Sequence, residues 1–109
     1  MRTLPGSVGV DEPLRAADRI WLEAAAPNPF ATATRIAYTL PERGHVHVGI
    51  YDIAGHEVAV LMNGVQEAGS HFQAWDGRGS RGLKLSAGVY FVRLEFVGRV
   101  ETSKIILAR

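Results

Sequence analysis

Four histidines, His45, His47, His56 and His71, are the side chains in this sequence with the widest chemical reach. His45 and His47 stand two apart in an alternating run, so both point to one side of a strand. There, imidazoles can share a metal with a third ligand drawn from His56 or His71. The set has no fixed ligand spacing and no carboxylate partner, and a solvated strand face accounts for the same residues. No metal is expected.

Other motifs fall short for equally physical reasons. Asp76-Gly77-Arg78-Gly79-Ser80 has the outline of an acidic cation loop, but Arg78 occupies a position where calcium wants an oxygen, so a turn is the expectation. Gly77, Gly79 and Gly82 satisfy a Gly-x-Gly-x-x-Gly spacing, yet no helix follows to bring amides to a phosphate. Ser7, Ser70, Ser80, Ser86 and Ser103 lie in no nucleophile elbow, and Asp52 and Asp76 are isolated surface carboxylates. Cysteine is absent, which removes thiolate chemistry and disulfides together. The chain is not expected to be an enzyme or to hold a cofactor.

The aromatic residues Tyr38, Tyr51, Phe72, Trp75, Tyr90, Phe91 and Phe96 could line a sugar-binding face. Most fall at positions expected to face a core, with Tyr51 and Phe91 the ones expected outside. A binding module therefore stays open as a second reading.

Composition narrows the partners. The 109 residues give room for one domain, with 47% hydrophobic and 21% charged residues as in globular proteins. Twelve Lys and Arg against eleven acids leave a formal charge of +1 with no basic block, so neither nucleic acid nor an anionic membrane is favoured. No apolar run approaches the ~18 residues of a membrane span, and the opening residues lack the apolar stretch of a secretory signal.

The elements that must carry these side chains are strands. Residues 1–19 hold Pro5, Gly6, Gly9 and Pro13 with no sustained period and read as a linker or arm; the domain is expected over 20–109. Residues 20–25 form a first weak strand, stopped by Pro27-Asn28-Pro29. Residues 33–40 place Ile36, Tyr38 and Leu40 on one face, and residues 45–51 place Val46, Val48 and Ile50 inward with His45, His47 and Gly49 outward.

A third alternating strand begins with Val58 and Val60 and is expected to end at an Asn63-Gly64 hairpin turn. Residues 70–75 follow, with mixed faces that Trp75 tips toward its own side. A polar loop over 77–82 precedes the densest apolar face, Tyr90, Val92, Leu94 and Phe96, and a Gly98 turn leads to a last strand in which Ile105 and Leu107 complete the core. About seven antiparallel strands with regular turns predict an all-β, immunoglobulin-like sandwich.

The order of the pieces is also familiar. Pro27-Asn28-Pro29-Phe30, then Thr34 to Pro41, then Val48-Gly49-Ile50-Tyr51-Asp52 through Val58, then Gly69-Ser70-His71, Trp75-Asp76-Gly77-Arg78, Ser86 to Phe91 and Lys104-Ile105-Ile106-Leu107 resemble the C-terminal sorting domain of type IX secretion. That family is similar to the immunoglobulin-like domain of flagellar hook-capping proteins. The resemblance covers about residues 21–109 and is carried by the combination of motifs. Ala24-Ala25-Ala26 and Gln73 depart from it.

The resemblance implies a non-catalytic module that sends an attached cargo protein, placed before it, through the periplasm to the cell surface or medium. The implied partners are the type IX translocon and a sortase-like peptidase. Candidate residues for the sorting signal are Gly88, Val89 and Tyr90, at the entry to the last hairpin, and Lys104, Ile105, Ile106, Leu107 and Arg109. The final strand is expected to be a free edge, open to strand addition by a partner. A passive or adhesive accessory module and a hook-capping assembly scaffold are the alternatives.

Overall fold

A computed structural model describes residues 19–109, so the arm expected over 1–19 lies outside the described residues except for Arg19. Seven strands follow in chain order: β1 (Trp21–Leu22), β2 (Thr34–Leu40), β3 (Gly44–Tyr51), β4 (Glu57–Gln66), β5 (Gly69–Trp75), β6 (Gly88–Phe96) and β7 (Arg99–Leu107). They form a three-stranded sheet, β1-β2-β5, and a four-stranded sheet, β4-β3-β6-β7, with all strand pairs antiparallel. No helix occurs among the described residues. This is the expected all-β sandwich.

Period-two alternation builds the interior where the ladders are regular. Ile36, Tyr38 and Leu40 from β2 face Val46, Val48 and Ile50 from β3 and Val92, Leu94 and Phe96 from β6, all essentially removed from water, with Ile105 and Leu107 closing the layer from β7. Burying such a side chain contributes about 1.5–3 kcal/mol. Trp75 decides the face of β5 as expected: it is buried, with the Phe30 ring 5.4 Å away and the Tyr90 ring edge-on at 5.5 Å. Gln73 shares that face without an orphaned amide. Its Nε2 donates to the Tyr38 hydroxyl at 3.2 Å, and that hydroxyl donates to Gln66 Oε1 at 2.5 Å.

Three expectations are corrected. The first strand shrinks to Trp21–Leu22. Beyond it, Glu23 N–H still reaches Ala37 and Ala26 exchanges bonds with Arg35, but Pro27 and Pro29 have no N–H to continue a ladder and the chain crosses to the other sheet.

The hairpin turn at Asn63-Gly64 does not exist. Both residues lie inside β4, Asn63 opposite His47 and Gly64 opposite Val46, because all of β3 back to Gly44 is paired, ending at Gln66. The turn falls at 67–68.

The inward pattern of β4 also differs. Two register shifts place extra residues on β4 near Leu61 and Val58, which seat Ala59 in the core and turn Val60 outward. The β6–β7 hairpin turns through Val97 and Gly98, with φ of 48° and 76°, the double positive φ of a type I′ turn.

Candidate functional site

The last hairpin carries every candidate sorting residue but Arg109, and the ladder divides them between two faces. Tyr90, Ile105 and Leu107 are buried in the sandwich; Tyr90 also donates its hydroxyl to Ser86 O at 2.6 Å. Val89 and Ile106 are paired partners on the outer face, and Lys104 is exposed there beside its partner Phe91. Arg109 lies past the strand, its Nη2 donating to Gly77 O at 2.9 Å. Gly88 enters β6 with φ of 152° and open space where a Cβ would sit, so its backbone torsion, not crowding, favours glycine.

The edge of β7 is not free where it was expected to be. Asn28 turns its side chain along the strand: Nδ2 donates to Lys104 O at 2.9 Å and Oδ1 accepts Ile106 N–H at 2.9 Å. The main chain then takes over, with Phe30 N–H donating to Ile106 O at 3.0 Å and Ala108 N–H to Phe30 O at 2.7 Å. The carboxamide stands in for a peptide unit, and Phe30 is anchored in the core against Trp75. Segment 28–30 is thus a strap in parallel pairing with β7. The legible clue was the amide-bearing Asn28 between two prolines; its partner 78 residues away was not legible.

The histidines scatter over separate partners. His47 Nε2 meets Glu57 Oε2 at 2.5 Å, His45 meets Asn63 at 2.7 Å, His71 meets Glu67 O at 2.7 Å, and His56 lies 3.4 Å from Asp52. Among the described residues no group of three or more His, Cys, Asp or Glu is placed to hold a metal ion. The Glu57 hydrogen bond raises the His47 pKa above its ordinary value. Gly49, directly beneath, leaves the room for this pair, since a Cβ there would collide with the Glu57 carboxylate. Asp52 accepts the Ala54 and His56 N–H groups, and the backbone bond from His56 above all holds its carboxyl below the usual range.

The 76–84 loop is a turn, as expected. Asp76 Oδ1 accepts Arg78 N–H at 3.1 Å, Trp75 Nε1 donates to Arg78 O at 2.9 Å, and Arg78 pairs with Lys84 in a one-residue antiparallel bridge. The aromatic expectation needs correction: Phe72 is 53% exposed on the outside of the three-stranded sheet, with the Arg35 guanidinium 3.6 Å above its ring, and Trp21 is 58% exposed. Tyr51 and Phe91, expected outside, are half-buried.

No curated protein matches the chain. Among solved structures it is similar to latent PorU of Porphyromonas gingivalis, a dimer, at 19% identity with TM-score 0.67 over 93% of this chain and 10% of PorU. It is similar to PorZ of the same organism, described as an essential surface component of the type-IX secretion system, at 20% identity with TM-score 0.55 over 86% of this chain and 12% of PorZ. FlgD of Xanthomonas campestris, involved in hook capping, matches at 23% identity with TM-score 0.56 over 82% of this chain and 67% of FlgD. The chain thus spans about a tenth of the length of the two Por proteins. At the level of sequence, the family model for the FlgD Ig-like domain matches residues 30–98, from the strap through the turn of the last hairpin, and the chain belongs to that family.

Proposed function

We propose that this domain is a non-catalytic sorting module that directs an attached cargo through the type IX secretion system to the cell surface or medium, with the translocon and a sortase-like peptidase as its partners. The observation that carries the reading is the relation to PorU and PorZ: nearly all of this chain superposes on a small part of each, and PorZ is a component of that system. The order of motifs from Pro27 to Leu107 supports the same reading.

The geometry directs the proposal to one surface. Tyr90, Ile105 and Leu107 serve the core, and the strap occupies the edge of β7 from Lys104 to Ala108. Recognition therefore falls on the outer face of the last hairpin, at Val89, Lys104 and Ile106, while Arg109 is turned to the Gly77 carbonyl. Strand addition at β7 requires displacing the strap first.

The test is a fusion of the whole chain behind a periplasmically exported reporter in a host with the type IX apparatus. Surface or medium delivery is expected. A soluble, folded fusion that stays in the periplasm overturns the reading and leaves a passive accessory module.

A further inference from the structure

We propose that the open depression beside the glycine-rich loop binds a phosphate-type dianion. It measures about 450 Å³ and is lined by Arg78, Lys84 and Arg109, with Asp76, Thr32 and Ala31 completing the wall. Three cationic side chains face one side-chain carboxylate in a single concavity.

This arrangement is costly to the empty fold. Arg78 and Lys84 stand directly opposite each other across the short bridge, and like charges in that position destabilise a strand pair. Lys84 has no hydrogen-bond or ion-pair partner among the described residues, and Asp76 offsets only Arg78, with Oδ2 3.6 Å from Arg78 Nε.

The two guanidiniums are nonetheless held there. Arg78 Nη1 donates to Gly82 O at 2.8 Å, and Arg109 Nη2 donates to Gly77 O at 2.9 Å. Each is oriented by a carbonyl of the same loop, and beyond the Asp76 contact of Arg78 Nε no other side-chain partner holds either guanidinium among the described residues. Gly77 is required for this: it has φ of 79°, and a Cβ would lie 2.6 Å from Arg109 Nη2. Pre-oriented guanidiniums bind oxyanions through paired N–H donors, and a lysine adds a mobile point charge.

Charge selects the ligand. A phosphate monoester carries about −1.5 to −2 at neutral pH and presents three acceptor oxygens to the three cations, whereas a carboxylate brings less charge and fewer oxygens. Free phosphate and a phosphoryl group on a larger molecule present the same chemistry, and the openness of the depression admits either.

The test is an amide NMR titration of the full chain at low ionic strength with inorganic phosphate, glycerol phosphate, acetate and chloride. Saturable shifts confined to residues 76–84, 109 and 31–32 are expected with the two phosphates, the tighter of the two identifying the source. Lys84→Gln and Arg109→Gln should each weaken binding by about tenfold, the weight of a charge-assisted hydrogen bond. Arg43→Gln, at the opposite end of the sandwich, should not. Phosphate should also raise the thermal midpoint of the native chain and not that of the double variant. No saturable shift, equal response to acetate, or binding undiminished in a folded double variant overturns the proposal.

Discussion

The Asn28 carboxamide and the Ile106 backbone are joined at 2.9 Å across 78 residues of sequence, and this bond ties the entry of the domain to its last strand. The same carboxamide donates to Lys104 O, so one side chain satisfies both a donor and an acceptor on an otherwise open edge. Edges left unpaired are templates for other strands. The strap makes this one self-complementary.

Asn28→Ala should therefore lower stability by about 1–2 kcal/mol in urea unfolding, two modest hydrogen bonds lost at a partly wet edge. Amide exchange should accelerate at Ile106 and Ala108 before it does at Leu94. Asn28→Asp tests the donor separately: it keeps the acceptor for Ile106 N–H and sets a carboxylate against Lys104 O, so it should be no better than alanine. Wild-type exchange at Ile106 in the alanine variant would show that the strap does not depend on the carboxamide.

The hairpin turn at Val97-Gly98 offers the opposite kind of change. Val97 has φ of 48°, where a β-branched residue clashes with its own backbone, and it is 63% exposed with little packing to lose. Val97→Asn, suited to a type I′ turn, should raise stability by about 1 kcal/mol. A lower urea midpoint would mean that the valine torsion is not strained.

The sequence disclosed the faces of β2, β3 and β6 because each runs in strict alternation against a buried layer, and Ile36, Val48 and Leu94 could only point one way. It misled at β4, where two bulges break the period and put Ala59 inward in place of Val60. The Asn63-Gly64 pair is a strong local turn signal overruled by the ladder to Gly44, so the chain turns at 67–68 instead, and the type I′ turn of the β6–β7 hairpin has valine in its first position. Asn28 with Ile106, and Arg78 with Lys84 and Arg109, depend on distant segments meeting. Such contacts leave no local period to read.

The His47–Glu57 pair gives stability a pH dependence. The folded His47 pKa lies above its ordinary 6.5, first because of the Glu57 hydrogen bond, then opposed by burial and aided by the Glu57 charge, Asn63 and Glu95. Arg93, two residues before Glu95 on the same face, adds an opposing charge. A raised histidine pKa contributes stability that is fully present below the unfolded value and is lost as pH rises through the folded one. Native stability should fall from about pH 6.5 upward relative to Glu57→Gln, the two curves converging once His47 is neutral. Parallel urea midpoints across that window would remove the pair from the account.

Folding and recognition can be separated on the last hairpin, because its two faces do different things. Leu94 is fully buried opposite Val48, and Leu94→Asp places an unpaired charge in the core, so the domain should unfold with a loss of several kcal/mol or more. Lys104 projects from the outer face, and Lys104→Ala should shift stability by no more than about half a kcal/mol. In the reporter fusion, the first variant should fail through misfolding, which circular dichroism of the purified domain detects. The second should stay folded and still lose surface delivery if the outer face is what the translocon reads. A folded Lys104→Ala domain exported at the native rate would move recognition off Lys104, leaving Val89→Ser and Ile106→Ser to report on the rest of that face.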